Sequence, residues 1–295
     1  AVLGQDAGSS GEVAVGSDAI WNNSGDVLVG RQGTAIVSIQ NGGSVSSAQA
    51  QIGVEAGAYG VVVIEGDGSH WTTNSTHVGV HGNGELTIEV GGALMSHGDS
   101  FIASDAGSTG VASVSGVGSQ WHNSASLYVG GNSTASGGDG NLHIYAGATV
   151  TIADTLHVWS TGTIDLTGGT LKTHALDISE GAFFMTGGRL EAINIEGNLQ
   201  IAGGTFAPGN SVELATVTNN YSQLAGGTLE IEIGGVVARG RQHKLPTTGA
   251  GRPPDWSRGR GESEPEGPEM RVVRRQRPRR GGAPAPQDGP LVPLL

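Results

Sequence analysis

Three tryptophans, Trp21, Trp71 and Trp121, stand 50 residues apart, and the text around them recurs with them. Residues 16–45 read GSDAIWNNSGDVLVGRQGTAIVSIQNGGSV, residues 66–94 read GDGSHWTTNSTHVGVHGNGELTIEVGGAL, and GVGSQWHNSASLYVGGN opens a third copy at Gly116. Gly16, Gly66 and Gly116 each lie five residues before their tryptophan, and a V-G strand end follows it. An I-x-x-G step closes each copy, at Ile39–Gly42, Ile88–Gly91 and Ile144–Gly147. A long fixed period marks one supersecondary unit stacked on copies of itself, so the fold is read from the repeat.

Within the repeat, short runs such as VLVG, VVVIEG, ELTIEVGG and NLHIYAG alternate apolar with polar residues and are broken by Gly, Asn, Asp and Ser. That is the pattern of half-buried strands joined by tight turns, and no segment keeps a helical apolar period. From Gly168 the period shortens. Gly168-Gly169-Thr170-Leu171, Gly187-Gly188-Arg189-Leu190, Gly203-Gly204-Thr205-Phe206 and Gly226-Gly227-Thr228-Leu229 are one step repeated at a spacing of about 16–23 residues. Such a spacing matches one coil of a parallel β-helix, and the 50-residue unit is then two coils with their turns. A β-propeller blade of about 40–45 residues is a weaker rival for the 50-residue period and fails to explain the shorter spacing. The fold class expected is all-β, a right-handed parallel β-helix (solenoid) with a disordered C-terminal tail.

Stacking at about 4.8 Å per coil gives roughly 11 coils and a rod of roughly 50 Å. Ile39, Val45, Ile88, Leu94, Ile144 and Val150 are expected to line the interior, and the tryptophans to cover a recurring corner. Residues 1–12 read as an incomplete leading coil and residues 13–235 as the β-helix, with 50-residue repeats to about 165 and shorter coils beyond.

Composition narrows the function classes. With 53 glycines and only 4% aromatic and 14% charged residues, the chain has the makings of stacked tight turns rather than of a compact enzyme. It has no cysteine, which excludes disulfides, thiolate nucleophiles and cysteine-bound metals. Residues 1–238 carry 21 acidic and 3 basic residues, a formal −18, which argues against nucleic acid or an anionic membrane as partner. Residues 239–295 carry 12 basic and 6 acidic residues, a formal +6, and hold 10 of the 11 prolines. That segment, 236–295 in domain terms, is too poor in apolar residues to offset chain entropy and is expected to be disordered. Its Arg/Gly/Pro/Ala bias is also what a GC-rich gene yields when read in a shifted frame. No apolar run approaches the roughly 20 residues of a membrane-spanning helix. The start at Ala1, with no methionine or leader, reads as a mature piece or a fragment.

The G-x-G-S-x-W opening (Gly66–Trp71, Gly116–Trp121), the L-Y-V-G step (Leu127–Gly130) and the I-x-x-G-G-x-V close resemble the repeat of type V secretion autotransporter passengers and PEP-CTERM surface proteins. Residues 206–235, FAPGNSVELATVTNNYSQLAGGTLEIEIGG, look like the stretch that precedes the final passenger coils and the translocating barrel in autotransporters. The resemblance covers roughly residues 13–235. It implies a bacterial protein exported across the inner membrane, with its β-helix displayed at the cell surface and an outer-membrane β-barrel translocator in the full-length protein. No ten-residue alternating strands with aromatic girdles follow residue 238, so the barrel is missing from this chain. Nor is there a PEP-CTERM sorting end, since Glu264-Pro265-Glu266 has no apolar helix after it.

Few residues invite chemistry. His77, His81 and His97 suggest a metal, but on one strand i and i+4 lie about 13 Å apart, too far for a shared ion. Gly137-Gly138-Asp139-Gly140-Asn141-Leu142 resembles a calcium nonapeptide, with Leu142 where the ligand aspartate belongs. Glu230/Glu232 and Asp177/Glu180 are the acidic pairs a glycosidase would need, yet the acids are spread evenly and none is expected beside Arg or Lys of a neighbouring coil. The run Arg271–Arg280, RVVRRQRPRR, has the composition of a phosphate-binding patch.

The sequence therefore predicts a non-catalytic, surface-displayed passenger of stalk or adhesion type from a Gram-negative bacterium. Catalytic, cofactor-binding and metal residues are each expected to be none, and the partner to be a host or bacterial surface ligand. The alternative is a β-helix polysaccharide lyase or hydrolase.

Overall fold

The computed structural model describes residues 1–209, 214–232 and 292–294. The described residues are built from strands and turns without a helix. Strands stack in parallel as three ladders, which makes the chain a parallel β-helix.

The first ladder begins with Ser10–Val15 and adds Thr34–Gln40, Tyr59–Glu65, Asn83–Glu89 and Thr109–Ser115 in register. It continues through Asp139–Ile144, Gly162–Leu166 and Ala182–Met185 to the first halves of Leu199–Pro208 and Tyr221–Leu229. The third ladder starts lower, because Val2–Leu3 already pairs with Leu28 and Val29. The expected leading partial coil of residues 1–12 is thus one third-ladder strand plus the start of the next coil.

The second ladder shows what the 50-residue period is. Its inward column runs Trp21, Val45, Trp71, Leu94, Trp121, Val150, Leu171, Leu190, Phe206 and Leu229, each paired in register with the next. The tryptophans occupy every second coil. Coil length varies along the column, from the longest step, Trp121 to Val150, to the shortest, Leu190 to Phe206. These ten positions span nine turns, or about 43 Å at about 4.8 Å per turn. The expectation of roughly 11 coils overcounts because it assigns about 20 residues to every coil, whereas a coil before Val150 takes half of a 50-residue repeat.

Ile39, Val45, Ile88, Leu94, Ile144 and Val150 all lie inside, fully buried. The tryptophans depart from expectation. Trp71 and Trp121 are each 1% exposed and point into the core column rather than covering a corner. An indole fits there because its neighbours above and below are the smaller Val45, Leu94 and Val150, and because polar residues receive its N–H. Those residues form a hydroxyl-rich seam beside the column. Thr76 Oγ1 lies 2.8 Å from Ser96 Oγ, Ser100 Oγ donates to Asn123 Oδ1 at 2.8 Å, and Asn123 donates to the Ser126 carbonyl at 2.9 Å. Buried hydroxyls paired in this way escape the penalty of unsatisfied polar groups.

The longest coil carries an excursion at Gly130–Asp139. An antiparallel bridge joins Gly131 and Ser136, Asn132 Oδ1 accepts from the Thr134 and Ala135 amides, and Trp159 Nε1 donates to the Asn132 carbonyl at 2.8 Å.

At the far end, Val292–Leu294 is a strand lying antiparallel on Ala215–Val217. These three residues belong to the segment expected to be disordered; the outer edge of Ala215–Val217 offers unpaired backbone groups, and an extended segment can pair with such an edge. The remainder of the expected disordered domain, 236–295, lies outside the described residues.

Candidate functional site

Two outward-facing side-chain arrays run from coil to coil on the exterior. One is charged. On the second ladder Arg189 and Glu191 point outward from one strand, and Lys172 stands in register with Glu191 on the coil before. Lys172 Nζ is 2.9 Å from Glu191 Oε2, and Arg189 Nε donates to Glu191 Oε1 at 2.6 Å. The Arg189 guanidinium then passes over Ala207, whose methyl leaves room, and grips Glu230 with Nη1 and Nη2 at 2.9 and 3.0 Å. This corrects the expectation that no acid sits beside a cation of a neighbouring coil: Lys172, Glu191, Arg189 and Glu230 form one network over four coils.

The network is electrostatically closed. Burial pushes the Glu191 carboxyl up, but the hydrogen bonds from Arg189 and Lys172 outweigh it and leave the group below the usual carboxylate range. Arg189 likewise holds the Glu230 carboxyl down, while Glu230 and then Glu191 raise the guanidinium. Carboxylates held ionised in this way make poor general acids at neutral pH, and a guanidinium already shared between two of them has little charge to offer a developing anion. The pocket beside them, lined by Arg189, Glu191, Pro208, Glu230 and Glu232, has a volume of about 30 Å³. Ligand pockets hold roughly 300–1,000 Å³.

The second array is aromatic and lies on the outer face of the third ladder. His77, Phe101, Tyr128 and His157 stand in register on four successive coils. The ring centroids of His77 and Phe101 are 4.7 Å apart with planes at 27°, and those of Phe101 and Tyr128 are 5.4 Å apart at 11°. Tyr128 and His157 follow at 6.1 Å, and Trp159 meets the His157 ring edge-on at 4.2 Å. Burial in this stack lowers the His77 pKa, which keeps the imidazole neutral at neutral pH. His157 Nδ1 lies 2.7 Å from Asp177 Oδ2 on the next coil. Because the rings stack along the rod axis, they present edges rather than faces outward, and most of their faces are spent on each other.

The other singled-out residues are dispersed. His77 is in a strand, whereas His81 lies past the Gly79 turn and pairs with Asp105 at 3.3 Å, so the two do not share a strand as expected. His97 is exposed beyond the strand Ala93–Ser96. Among the described residues no three His, Asp or Glu side chains converge to hold a metal ion. Leu142, in the calcium-like stretch, is buried in the core. Asp177 is engaged by His157 and by Ser179, with Ser179 Oγ donating at 2.7 Å. Arg271–Arg280 lies outside the described residues.

Sequence reasoning missed both arrays. The aromatic column had a signal: Tyr128 and His77 each stand two residues before the coil-end glycine, in Y-V-G and H-V-G, and Phe101 two before Ala103.

Fold and site together define a β-solenoid protein whose interior is filled by side-chain columns and whose prominent exterior arrays run from coil to coil. Comparison adds a relative. The chain is 32% identical over 99 residues to YdeK, an uncharacterised lipoprotein of Escherichia coli K12; the match takes in 32% of this chain and 8% of the relative. No family model matches the chain, and no solved structure matches it significantly.

Proposed function

We propose that the chain is a non-catalytic passenger of the bacterial cell envelope: a rigid β-helical stalk displayed at the cell surface, presenting its turns and excursions to host or bacterial surface ligands. The observation that carries this reading is the unbroken inward column from Trp21 to Leu229, which leaves the body of the rod filled with side chains. The lipoprotein relative supports a place in the cell envelope. The absence of cysteine suits export as an unfolded chain, and parallel coils that template one another suit folding after export. An outer-membrane barrel would serve as the translocator. Antibody labelling and protease shaving of intact cells of the parent bacterium test the proposal. Surface labelling with loss of the protein on shaving is expected; full protection until the outer membrane is ruptured overturns surface display.

A second reading, a polysaccharide lyase or hydrolase, is favoured by one feature, the convergence of Arg189 and Glu191 of one strand with Glu230 two coils further on. Purified protein that released reducing ends or unsaturated products from acidic or neutral polysaccharides, and lost that activity on Glu191→Gln, would establish it in place of the first.

A further inference from the structure

The corner between the first and second ladders carries an apolar ridge where every local rule calls for polar turn residues. Val90, Val117 and Tyr145 occupy this corner on three successive coils and are 58%, 85% and 41% exposed. The three turns stack on one another: a Cβ at Gly116, next to Val117, would lie 3.1 Å from the Val90 amide nitrogen, and one at Gly147, two residues after Tyr145, would lie 2.8 Å from that of Val117. Val90 also has φ +53°, a left-handed conformation that a β-branched side chain strongly disfavours. Two coils below, the same turn is made with Asn41 at φ +52°, and the turns equivalent to Val117 carry Ser17 and Asp67. Strained backbone and exposed aliphatic surface at one place mark a surface shaped for contact rather than for the turn itself.

The rim of the ridge is acidic. Glu65 and Glu89 stand in register at the strand ends beside it, and Asp67 packs under Gly91 with its Oδ1 close to Gly118. Among the described residues none of these three carboxylates has an ion-pair partner, and Arg31, Lys172 and Arg189 are all engaged elsewhere. A second copy of a body with formal charge −18 is a poor occupant. A fitting occupant combines aliphatic side chains with guanidinium groups, and the chain contains one such segment, Arg271-Val272-Val273-Arg274-Arg275.

We propose that this RVVRR segment docks on the Val90–Val117–Tyr145 ridge in the intact chain, its valines on the ridge and its arginines on Glu65, Asp67 and Glu89. The chain is long enough. The stretches from Glu232 to Arg271 and from Arg275 to Val292 reach about 130 and about 56 Å when extended. The ridge at Val117 is five coils below the last, about 24 Å along the rod. Docking would cover the ridge and compete with any outside partner that used it.

The absence of native cysteine gives a direct test. Spin labels on Gln120→Cys and Gln276→Cys in the full chain report the distance between ridge and segment by pulsed electron resonance. A short, narrow distance population is expected at low salt. It should disperse at about 1 M salt, where screening acts within about 3 Å, and also at low salt in the Val90→Asn, Val117→Ser variant. Both replacements restore residue types the corner uses on other coils, and an unchanged circular dichroism spectrum shows that the variant is folded. A distance distribution identical in parent and variant overturns the proposal, because salt-sensitive attraction without dependence on the ridge is only bulk electrostatics. A ridge-dependent dimer in sedimentation, with no short distance inside one chain, overturns it in favour of a second copy.

Discussion

The indole Nε1 of Trp71 donates to Ser47 Oγ at 3.0 Å, one coil below it. Trp121 repeats the arrangement one unit further on, with Nε1 3.4 Å from Ser96 Oγ. Ser47 and Ser96 each stand two residues after the aliphatic member of the core column, Val45 and Leu94. A tryptophan coil is therefore built to sit on an aliphatic-plus-serine coil, and this pairing is why the sequence repeats every second coil. Large and small side chains alternate along the column from Trp21 to Val150.

Truncating Trp71 should accordingly be among the most damaging single changes. Trp71→Ala should cost about 3–5 kcal/mol, since it removes the largest core side chain between Val45 and Leu94. Ser47→Ala leaves the indole N–H without its acceptor and should cost about 1–3 kcal/mol. Urea denaturation followed by circular dichroism measures both. Equal losses would mean that the hydrogen bond, not the packing, holds the coil pair.

Gly53 and Gly57 separate backbone conformation from coil contact. Both are left-handed, at φ +69° and +82°. A Cβ at Gly57 meets nothing within 4 Å, whereas one at Gly53 runs into the Asn83 carbonyl of the next coil. Gly57→Ala should cost about 1–2 kcal/mol, the conformational penalty alone. Gly53→Ala should cost clearly more, because the coil above must also shift. Melting temperatures of the two variants decide it: similar losses would show that the stack yields freely at this corner.

Val90→Asn should raise stability by about 1–2 kcal/mol, because asparagine tolerates the left-handed backbone that valine resists. Asn41 makes the same turn at φ +52° in an earlier coil. Thermal unfolding of the single variant at about 1 M salt, where the proposed docking is screened, gives the answer, and a lower melting temperature there would mean that the valine makes a stabilising contact within the rod itself.

How far the sequence shows this molecule depends on the range of the interaction. The strands, turns and six interior positions from Ile39 to Val150 are set by alternation and glycine placement within a few residues, and they were legible. The place of Trp71 was not, because an indole on a strand is equally at home inside or on a corner, and only the register against Val45 and Leu94 decides. Arg189 and Glu230 are 41 residues apart. Their contact needs a coil count, a register shared by three coils and a small side chain at Ala207, so neither residue's neighbours in sequence hint at it. The aromatic column from His77 to His157 lies between these cases. Its members share one offset from the coil-end turn, but stacking also requires register to survive coils of unequal length, and local sequence does not show that it does.

The Arg189 clamp should make the C-terminal coils sensitive to acid. Glu191 and Glu230 bind protons less readily in the folded chain than the ordinary carboxylate value of 4.5. A depressed carboxylate contributes stability that is complete above its unfolded pKa and is lost as pH falls through the lower folded value. Stability should therefore hold near neutrality and decline once the pH drops below about 4.5. Arg189→Met removes the cause of the depression while keeping an unbranched side chain over Ala207. The variant should melt below the parent at about pH 6, and the gap should narrow as the pH falls below about 4.5 and the parent's carboxylates take up protons. Protease nicking after Leu229 reports the same event locally, since Glu230 follows that strand directly and the clamp ties it to the coils beneath. A gap that stayed constant from about pH 6 to about pH 3 would assign Arg189 a packing role, with its aliphatic stem rather than its charge holding the last coils together.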